Sequence, residues 1–205
     1  MDRKNLEILL ERLEGFSDPE PGREQYSTPP ETASHILHTA ALNRDLDGVV
    51  FDLGCGTGVL GVGSAVLGSR VVGFDVDRDV LRTARRNARD TGVGARTDWV
   101  RADVTELPVS DFDGWDVTVV MNPPFGAQKD NEGADRDFLE VASEVADTVY
   151  TVHNSGSRGF VESFVDDLGG EVTHAFEAEI GLPRSFEFHD EELREIDVEV
   201  YRLVF

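Results

Sequence analysis

The 205-residue sequence predicts an α/β fold with a mostly parallel sheet, helices on both faces and an antiparallel pair of strands at its C-terminal end. Three observations lead there. From residue 49 onward, short apolar runs alternate with stretches of helical periodicity, the pattern of strands joined by crossover helices. One run, Val49-Val50-Phe51-Asp52-Leu53, passes into the glycine turn Gly54-Cys55-Gly56-Thr57-Gly58 and then a helix. After residue 168 the rhythm changes, and two strand-like segments follow without a helix between them.

Taken in order, Lys4–Glu14 has apolar residues at helical spacing, with Gly15 placed to end the helix. A loop rich in proline and glycine runs from Phe16 to Pro30, and a second helix is expected over Glu31–Asn43. The alternating part begins with strand Val49–Leu53, a helix to Leu67, strand Arg70–Asp75 and helix Arg78–Thr91. It continues with strand Arg96–Arg101, a connector holding Pro108, strand Asp116–Met121, helix Asp135–Ala146, strand Thr148–His153 and helix Arg158–Leu168. Glu171–Ile180 and Glu195–Phe205 close the chain as the antiparallel pair, joined by a loop with Pro183. No internal repeat or long linker divides the chain, so a single domain is expected, with residues 1–45 as a helical extension over a core of residues 46–205.

Composition narrows the function. Apolar residues make up 40%, enough for a core, and no run reaches the ~18 residues of a membrane span. Charges stand where a signal peptide needs its apolar stretch, so a cytoplasmic protein is expected. Cys55 is the only cysteine, which excludes an intramolecular disulfide and a cysteine-rich zinc site, and the histidines form no metal-ligand pattern. The net charge is −22, yet only Lys4 and Lys129 accompany seventeen arginines, and the acids are dispersed along the chain. A dispersed carboxylate coat with little lysine suits a protein working in concentrated salt, where screening weakens self-repulsion, so the sequence is read as halophilic.

The glycine turn lets the backbone bend sharply and lets a ligand approach where a Cβ would obstruct it. Asp75 ends the next strand, where a carboxylate can accept from both hydroxyls of a ribose. Gly54, Cys55, Gly56, Gly58, Asp75 and Val76 are therefore candidates for an adenosine-type cofactor site. Gly56-x-Gly58-x-x-Gly61 also fits the dinucleotide pattern, so NAD is an alternative. Against it stands Asp52, whose carboxylate would repel a pyrophosphate and attract the sulfonium of S-adenosylmethionine. In that reading Asp103, after the third strand, accepts from the adenine amino group, with Val104 against the ring.

Asn122-Pro123-Pro124-Phe125 follows an apolar strand directly. Tandem prolines fix φ and restrict the residue before them, so the Asn122 amide and the Pro123 carbonyl are held in one presentation. Two acceptors followed by an aromatic ring suit a planar group bearing an NH₂, whose delocalised lone pair makes it a poor nucleophile. Accepting both its protons orients that lone pair toward a methyl donor and favours the pyramidal, reactive nitrogen.

These segments together resemble the archaeal and eukaryotic small-subunit ribosomal RNA adenine-N6 methyltransferases, the methyltransferase-like protein 5 family. The likeness spans about Leu6 to Phe205. It rests on Glu24-Gln25-Tyr26-Ser27-Thr28-Pro29, Gly73-Phe74-Asp75-Val76-Asp77, Met121-Asn122-Pro123-Pro124-Phe125-Gly126, Val149-Tyr150-x-x-His153 and Phe186-x-Phe188-His189. The resemblance implies a Rossmann-like class I seven-stranded methyltransferase fold. It also implies that Gln25, Tyr26 and Thr28 close over the methionine end of S-adenosylmethionine, while Asn122 to Phe125 hold the target adenine. The sequence departs from the family at Asn154, where a lysine is usual, and at Asp130, Glu132 and Asp135 after the active motif.

Lys129, Arg136, Arg158 and Arg184 stand in or beside loops at strand ends and are candidates for phosphate contacts, with His153 and His189 adjacent to substrate or structural. The arginines between Arg78 and Arg89 share a helix with Asp79 and Asp90 and read as a solvated face. The family pairs with a small zinc-binding activator, the multifunctional methyltransferase subunit. The resemblance places that partner on the edge of the third strand, near Trp99 and Val100. Two alternatives remain at the level of sequence: a glutamine-N5 methyltransferase of a protein release factor, since a carboxamide offers the same planar NH₂, and a non-catalytic binding module on the same fold.

Overall fold

The computed structural model describes residues 1–17, 24–107, 115–125, 133–182 and 194–205. Two N-terminal helices, α1 (Arg3–Leu10) and α2 (Pro30–Leu42), precede the alternating part. This comprises β1 (Val49–Leu53), α3 (Val59–Leu67), β2 (Arg70–Asp75), α4 (Arg78–Asp90), β3 (Thr97–Arg101) and β4 (Val117–Met121). It continues with α5 (Ala134–Val145), β5 (Thr148–Asn154), α6 (Arg158–Asp167), β6 (Glu171–Leu182) and β7 (Arg194–Val204). The seven strands lie in the order β3-β2-β1-β4-β5-β7-β6. The first five are parallel, and β7 runs antiparallel to both β5 and β6. No helix among the described residues is long and apolar enough to cross a membrane.

The strand order reverses between β1 and β4, the point where an open α/β sheet leaves a crevice beyond its strand ends. Register fixes what meets there. Leu53 pairs with Met121 and Phe74, and Asp75 pairs with Arg101. The glycine turn, the Asn122 motif, Asp75 and Asp103 therefore leave the sheet at neighbouring strand ends.

Alternation along the strands builds two cores. Val50 and Val120 face α1, α2 and α3, where Leu6, Leu10, Ile36 and Leu37 are buried. Phe51, Leu53, Val119 and Met121 face α5 and α6 through Leu139, Ala142, Val161 and Val165. Burying both faces explains why the parallel strands read as continuous apolar runs rather than alternating ones.

Helix α1 ends at Leu10, short of the expected Glu14. The backbone tightens as Arg12 and Leu13 donate to carbonyls three residues back. The Glu14 main chain then pairs with Asn87 of α4 instead: its N–H donates to Asn87 Oδ1 at 2.8 Å, and its carbonyl accepts from Nδ2 at 2.9 Å. At the opposite end of the sheet, Asp45 after α2 accepts a two-pronged bond from Arg202 of β7, at 2.8 and 2.9 Å. It also accepts one from the Tyr150 hydroxyl of β5 at 2.6 Å. The Arg202 guanidinium and the Tyr150 hydroxyl hold the Asp45 carboxyl below its ordinary value against the opposing effect of burial.

Strand β3 is the sheet edge, as expected, but Trp99 does not face outward. Its ring is buried against Gly73 and Gly58, where an added Cβ would approach the indole to 2.4 and 2.7 Å. The exposed apolar side chain on that strand is Val100, between exposed Asp98 and Arg101.

Candidate active site

A cleft of about 330 Å³ opens where the sheet order reverses, and five segments bring the sequence-marked residues to its walls. The glycine turn supplies Gly54, Cys55 and Gly56; the β2 end supplies Asp75 and Val76; the β3 end supplies Asp103 and Val104; the β4 end supplies Asn122 and Pro124; and the loop before α2 supplies Gln25, Tyr26 and Thr28. Asp52 lies at its floor. Except for Gly58, every residue the sequence marks for the cofactor lines this cleft.

Gly58 faces the other way, toward Trp99 and Ala84, and begins α3 with a left-handed φ of 83°. It shapes the turn from behind. Gly54 and Gly56 also have positive φ, 66° and 50°, and each is overlaid by a ring: Phe138 of α5 over Gly54 and Phe16 over Gly56. A Cβ at Gly56 would come within 2.9 Å of Phe16, so the turn needs glycine both for its backbone and for the aromatic wall. Neither phenylalanine carried a sequence signal, because each comes from a distant segment.

Asp75 is held by two backbone donors, Gly56 N–H at 2.9 Å and Asp77 N–H at 2.8 Å. The carboxylate thus ties the glycine turn to the β2 end. Asp103 accepts from the Thr105 N–H and hydroxyl through Oδ1 alone, and its Oδ2 has no partner among the described residues. Gln25 donates to Asp77 at 3.1 Å, joining the α2 approach to the same rim.

Asp52 is 2% exposed and accepts from the Gly61 N–H of α3 at 2.8 Å. Gly58, at the start of that helix, has no side chain to cap it, so Asp52 satisfies one of its first-turn donors from the neighbouring strand. Burial pushes its carboxyl up to about 7, opposed by the Gly61 bond and reinforced by the nearby Asp75 charge. A cation in the cleft would draw the proton off.

Around the Asn122 motif the geometry is tight. Asn122 Nδ2 donates to Thr28 Oγ1 at 3.1 Å, while its Oδ1 is buried with no partner among the described residues. A buried carboxamide oxygen costs free energy unless something donates to it. The Phe125 N–H donates to the Glu24 carboxylate at 2.7 Å, and the Phe125 ring lies nearly parallel to Tyr26 at 6.4 Å between centroids. Glu24 is buried and has a φ of 48°, a conformation that costs a non-glycine residue about 1 kcal/mol. Thr57 Oγ1 is a second orphaned buried atom on the cleft wall. Together, the orphaned acceptor and donor, the glycine cradle and the strand-end acids fit an adenosine-bearing cationic cofactor such as S-adenosylmethionine.

The substrate candidates divide. Arg136, at the start of α5, lies 5.0 Å over the Phe160 ring of α6, and Arg158 pairs with Glu162 at 2.7 Å. His153 is not brought to the cleft: it is buried in the sheet, hydrogen-bonded to Thr151 at 3.0 Å, and burial lowers its ring to about 4, so it stays neutral. Lys129, Arg184 and His189 lie outside the described residues. The arginines of α4 largely serve intramolecular contacts, with Arg85 on the Trp99 carbonyl, Arg86 on Glu14 and Arg82 on Asp79.

A family model for the methyltransferase small domain matches residues 29–149. The rRNA N(6)-adenosine-methyltransferase Mettl5 of Drosophila melanogaster is 36% identical over 97% of this chain and 94% of its own. METTL5 of Danio rerio is 36% identical over 98% of each. The crystal structure of PH1948 from Pyrococcus horikoshii superposes with a TM-score of 0.87 at 36% identity, covering 100% of this chain and 98% of that one. With the cleft at the strand reversal and these near-full-length likenesses, the chain belongs to the small-domain methyltransferases, in the family of the METTL5 proteins.

Proposed function

We propose that the protein transfers a methyl group from S-adenosylmethionine to the N6 amine of an adenosine in small-subunit ribosomal RNA, acting in the cytoplasm. The observation that carries this reading is the buried Asn122 Oδ1, an acceptor without a donor on a cleft-lining residue whose Nδ2 is engaged by Thr28. The names of the full-length relatives support adenine in ribosomal RNA over other planar amines.

S-adenosylmethionine supplies, when bound, a methyl group made electrophilic by its sulfonium charge. The protein's own residues do the rest. Asp75 takes the ribose, Asp103 and Val104 the adenine of the cofactor, and Gln25, Tyr26 and Thr28 close over its methionine end. Asn122 Oδ1 and the Pro123 carbonyl accept the two protons of the target amine, which turns the nitrogen lone pair toward the cofactor. Tandem prolines hold the Pro123 carbonyl in one orientation, so less entropy is lost in aligning it with the amine. Phe125 stacks on the target base. A strong general base is unnecessary, since the amine becomes acidic only as it is methylated.

RNA meets the protein at the α5 and α6 starts, where Arg136 and Arg158 stand; Lys129, Arg184 and His189, outside the described residues, are further candidates for contact. So few cations in a chain of charge −22 imply that phosphate contacts contribute little affinity and that the base pocket contributes more. A zinc-binding activator subunit pairs with the β3 edge. In support, Ala102 N–H donates to the Asp75 backbone carbonyl at the end of β2, so by alternation Thr97, Trp99 and Arg101 turn their backbone groups to the open side. Arg85 already occupies the Trp99 carbonyl at 2.7 Å, which leaves strand addition to the remaining groups beside exposed Val100.

Nucleoside mass spectrometry of ribosomal RNA from cells with and without the gene tests the reading. N6-methyladenosine should disappear from the small subunit when the gene is deleted and return with the wild-type copy. Labelled methyl appearing only in release factor, with ribosomal RNA unchanged, overturns it in favour of glutamine methylation.

A further inference from the structure

The segment before α2 does more than face the cofactor. Two of its side chains reach the base-holding motif, 94 and 101 positions away in sequence. Thr28 Oγ1 takes the Asn122 amide N–H, and the Glu24 carboxylate takes the Phe125 N–H at the far end of the same four residues. Both side chains belong to residues only 6% exposed, where water competes poorly and such bonds hold geometry firmly.

We infer that Glu24 and Thr28 are positioning residues for methyl transfer, fixing the carboxamide plane of Asn122 and the backbone at Phe125 so that the acceptor oxygen meets the substrate amine. The inference rests on the reading above that Asn122 holds that amine. A carboxamide rotates readily about its last torsion. With Nδ2 anchored on Thr28, the plane is set and Oδ1 remains as the acceptor. Prolines 123 and 124 stiffen the middle of the motif but cannot anchor its ends. Asn122 precedes the pair, Phe125 follows it, and each end is tied to the same short segment. Segment 24–28 therefore joins the cofactor half of the site to the base half.

Four variants separate positioning from simple cofactor closure. Thr28→Val keeps the shape and removes the hydroxyl, whereas Thr28→Ser keeps the hydroxyl. Glu24→Ala removes the acceptor, whereas Glu24→Gln retains an oxygen that can take the Phe125 N–H. Single-turnover transfer to an adenosine-containing small-subunit rRNA fragment should fall about tenfold or more in Thr28→Val and Glu24→Ala. Calorimetric affinity for S-adenosylhomocysteine should stay within about threefold of wild type in Glu24→Ala. Thr28→Ser and Glu24→Gln should recover most of the rate. Rate and cofactor affinity falling in proportion in Glu24→Ala, or a Ser variant as slow as the Val variant, overturns the inference.

Should wild type leave the RNA unmethylated, the rRNA reading fails, and the Asn122 side-chain amide still decides this one by NMR. Its N–H exchange should be slow in wild type and Thr28→Ser and fast in Thr28→Val. Equal exchange in all three overturns the inference.

Discussion

Asn122 and Asp75 stand at the ends of β4 and β2, on either side of β1, and should fail in different ways. Asn122→Ala removes an acceptor meant for the substrate amine, so turnover should drop roughly 10²-fold with cofactor affinity nearly unchanged. Asp75→Ala removes the carboxylate held by Gly56 and Asp77 and should weaken cofactor binding instead. Calorimetry beside single-turnover rates distinguishes them, and a shared loss of affinity would contradict the assignment. Asp52 adds a pH signature. Its folded-state carboxyl lies at about 7, above its ordinary 3.8, so the empty protein keeps a proton there that the unfolded chain releases. Stability from this group is therefore greatest at acid pH and declines as pH rises toward 7. A cationic cofactor prefers the ionised carboxylate, so affinity for S-adenosylmethionine should rise with pH through this range and level off above it. Asp52→Asn should flatten the profile, and a variant that keeps the wild-type slope would assign the titration to another group. The strand-end acids and glycines were legible in the sequence because a turn of that shape leaves few alternatives. Glu24, Phe16 and Phe138 were not, since each meets its partner only through the tertiary fold and looks locally like an ordinary loop or helix residue. Trp99 misled for the same reason: Thr97 to Arg101 shows no clear apolar face, and only the cleared space over Gly73 reveals which way the indole turns.

Strand and helix positions followed from the sequence to within a residue or two wherever both faces are buried, because apolar runs of that length admit little else. The N-terminal end of the chain was harder. Helix α1 stops early because Asn87, in the middle of an arginine-rich helix, captures the Glu14 backbone and also donates to the Thr57 carbonyl of the glycine turn at 2.9 Å. We propose that residues 1–45 fold as one unit with the remainder, since Leu6, Leu10, Ile36 and Leu37 join the core against β1, β4 and β5. The Asp45–Arg202 pair extends that union to the antiparallel strands. Arg202→Leu leaves a mostly buried carboxylate without its cation and should cost roughly 3 kcal/mol, read as a lower midpoint in urea. A single transition is expected in wild type and variant alike. A loss below about 0.5 kcal/mol would place the pair among weak surface contacts.

Across the whole molecule, charge sets the conditions of work. With 41 acidic against 19 basic residues, self-repulsion opposes the compact state at low ionic strength. We propose that this coat is an adaptation to concentrated salt. Thermal unfolding should shift upward by several degrees between about 0.1 M and about 2 M KCl, and a midpoint that is flat or falls would leave the acid excess to some other cause. We propose that the same charge leaves an RNA-facing surface to rely on a few arginines and on aromatic contacts, with the base pocket carrying the specificity. A crystal structure of the protein with S-adenosylhomocysteine and adenosine examines that pocket itself. The adenine N6 should lie within ~3 Å of both Asn122 Oδ1 and the Pro123 carbonyl oxygen, with Asn122 Nδ2 still on Thr28. An adenine bound elsewhere, or Asn122 turned to present its NH₂ to the base, would contradict the mechanism.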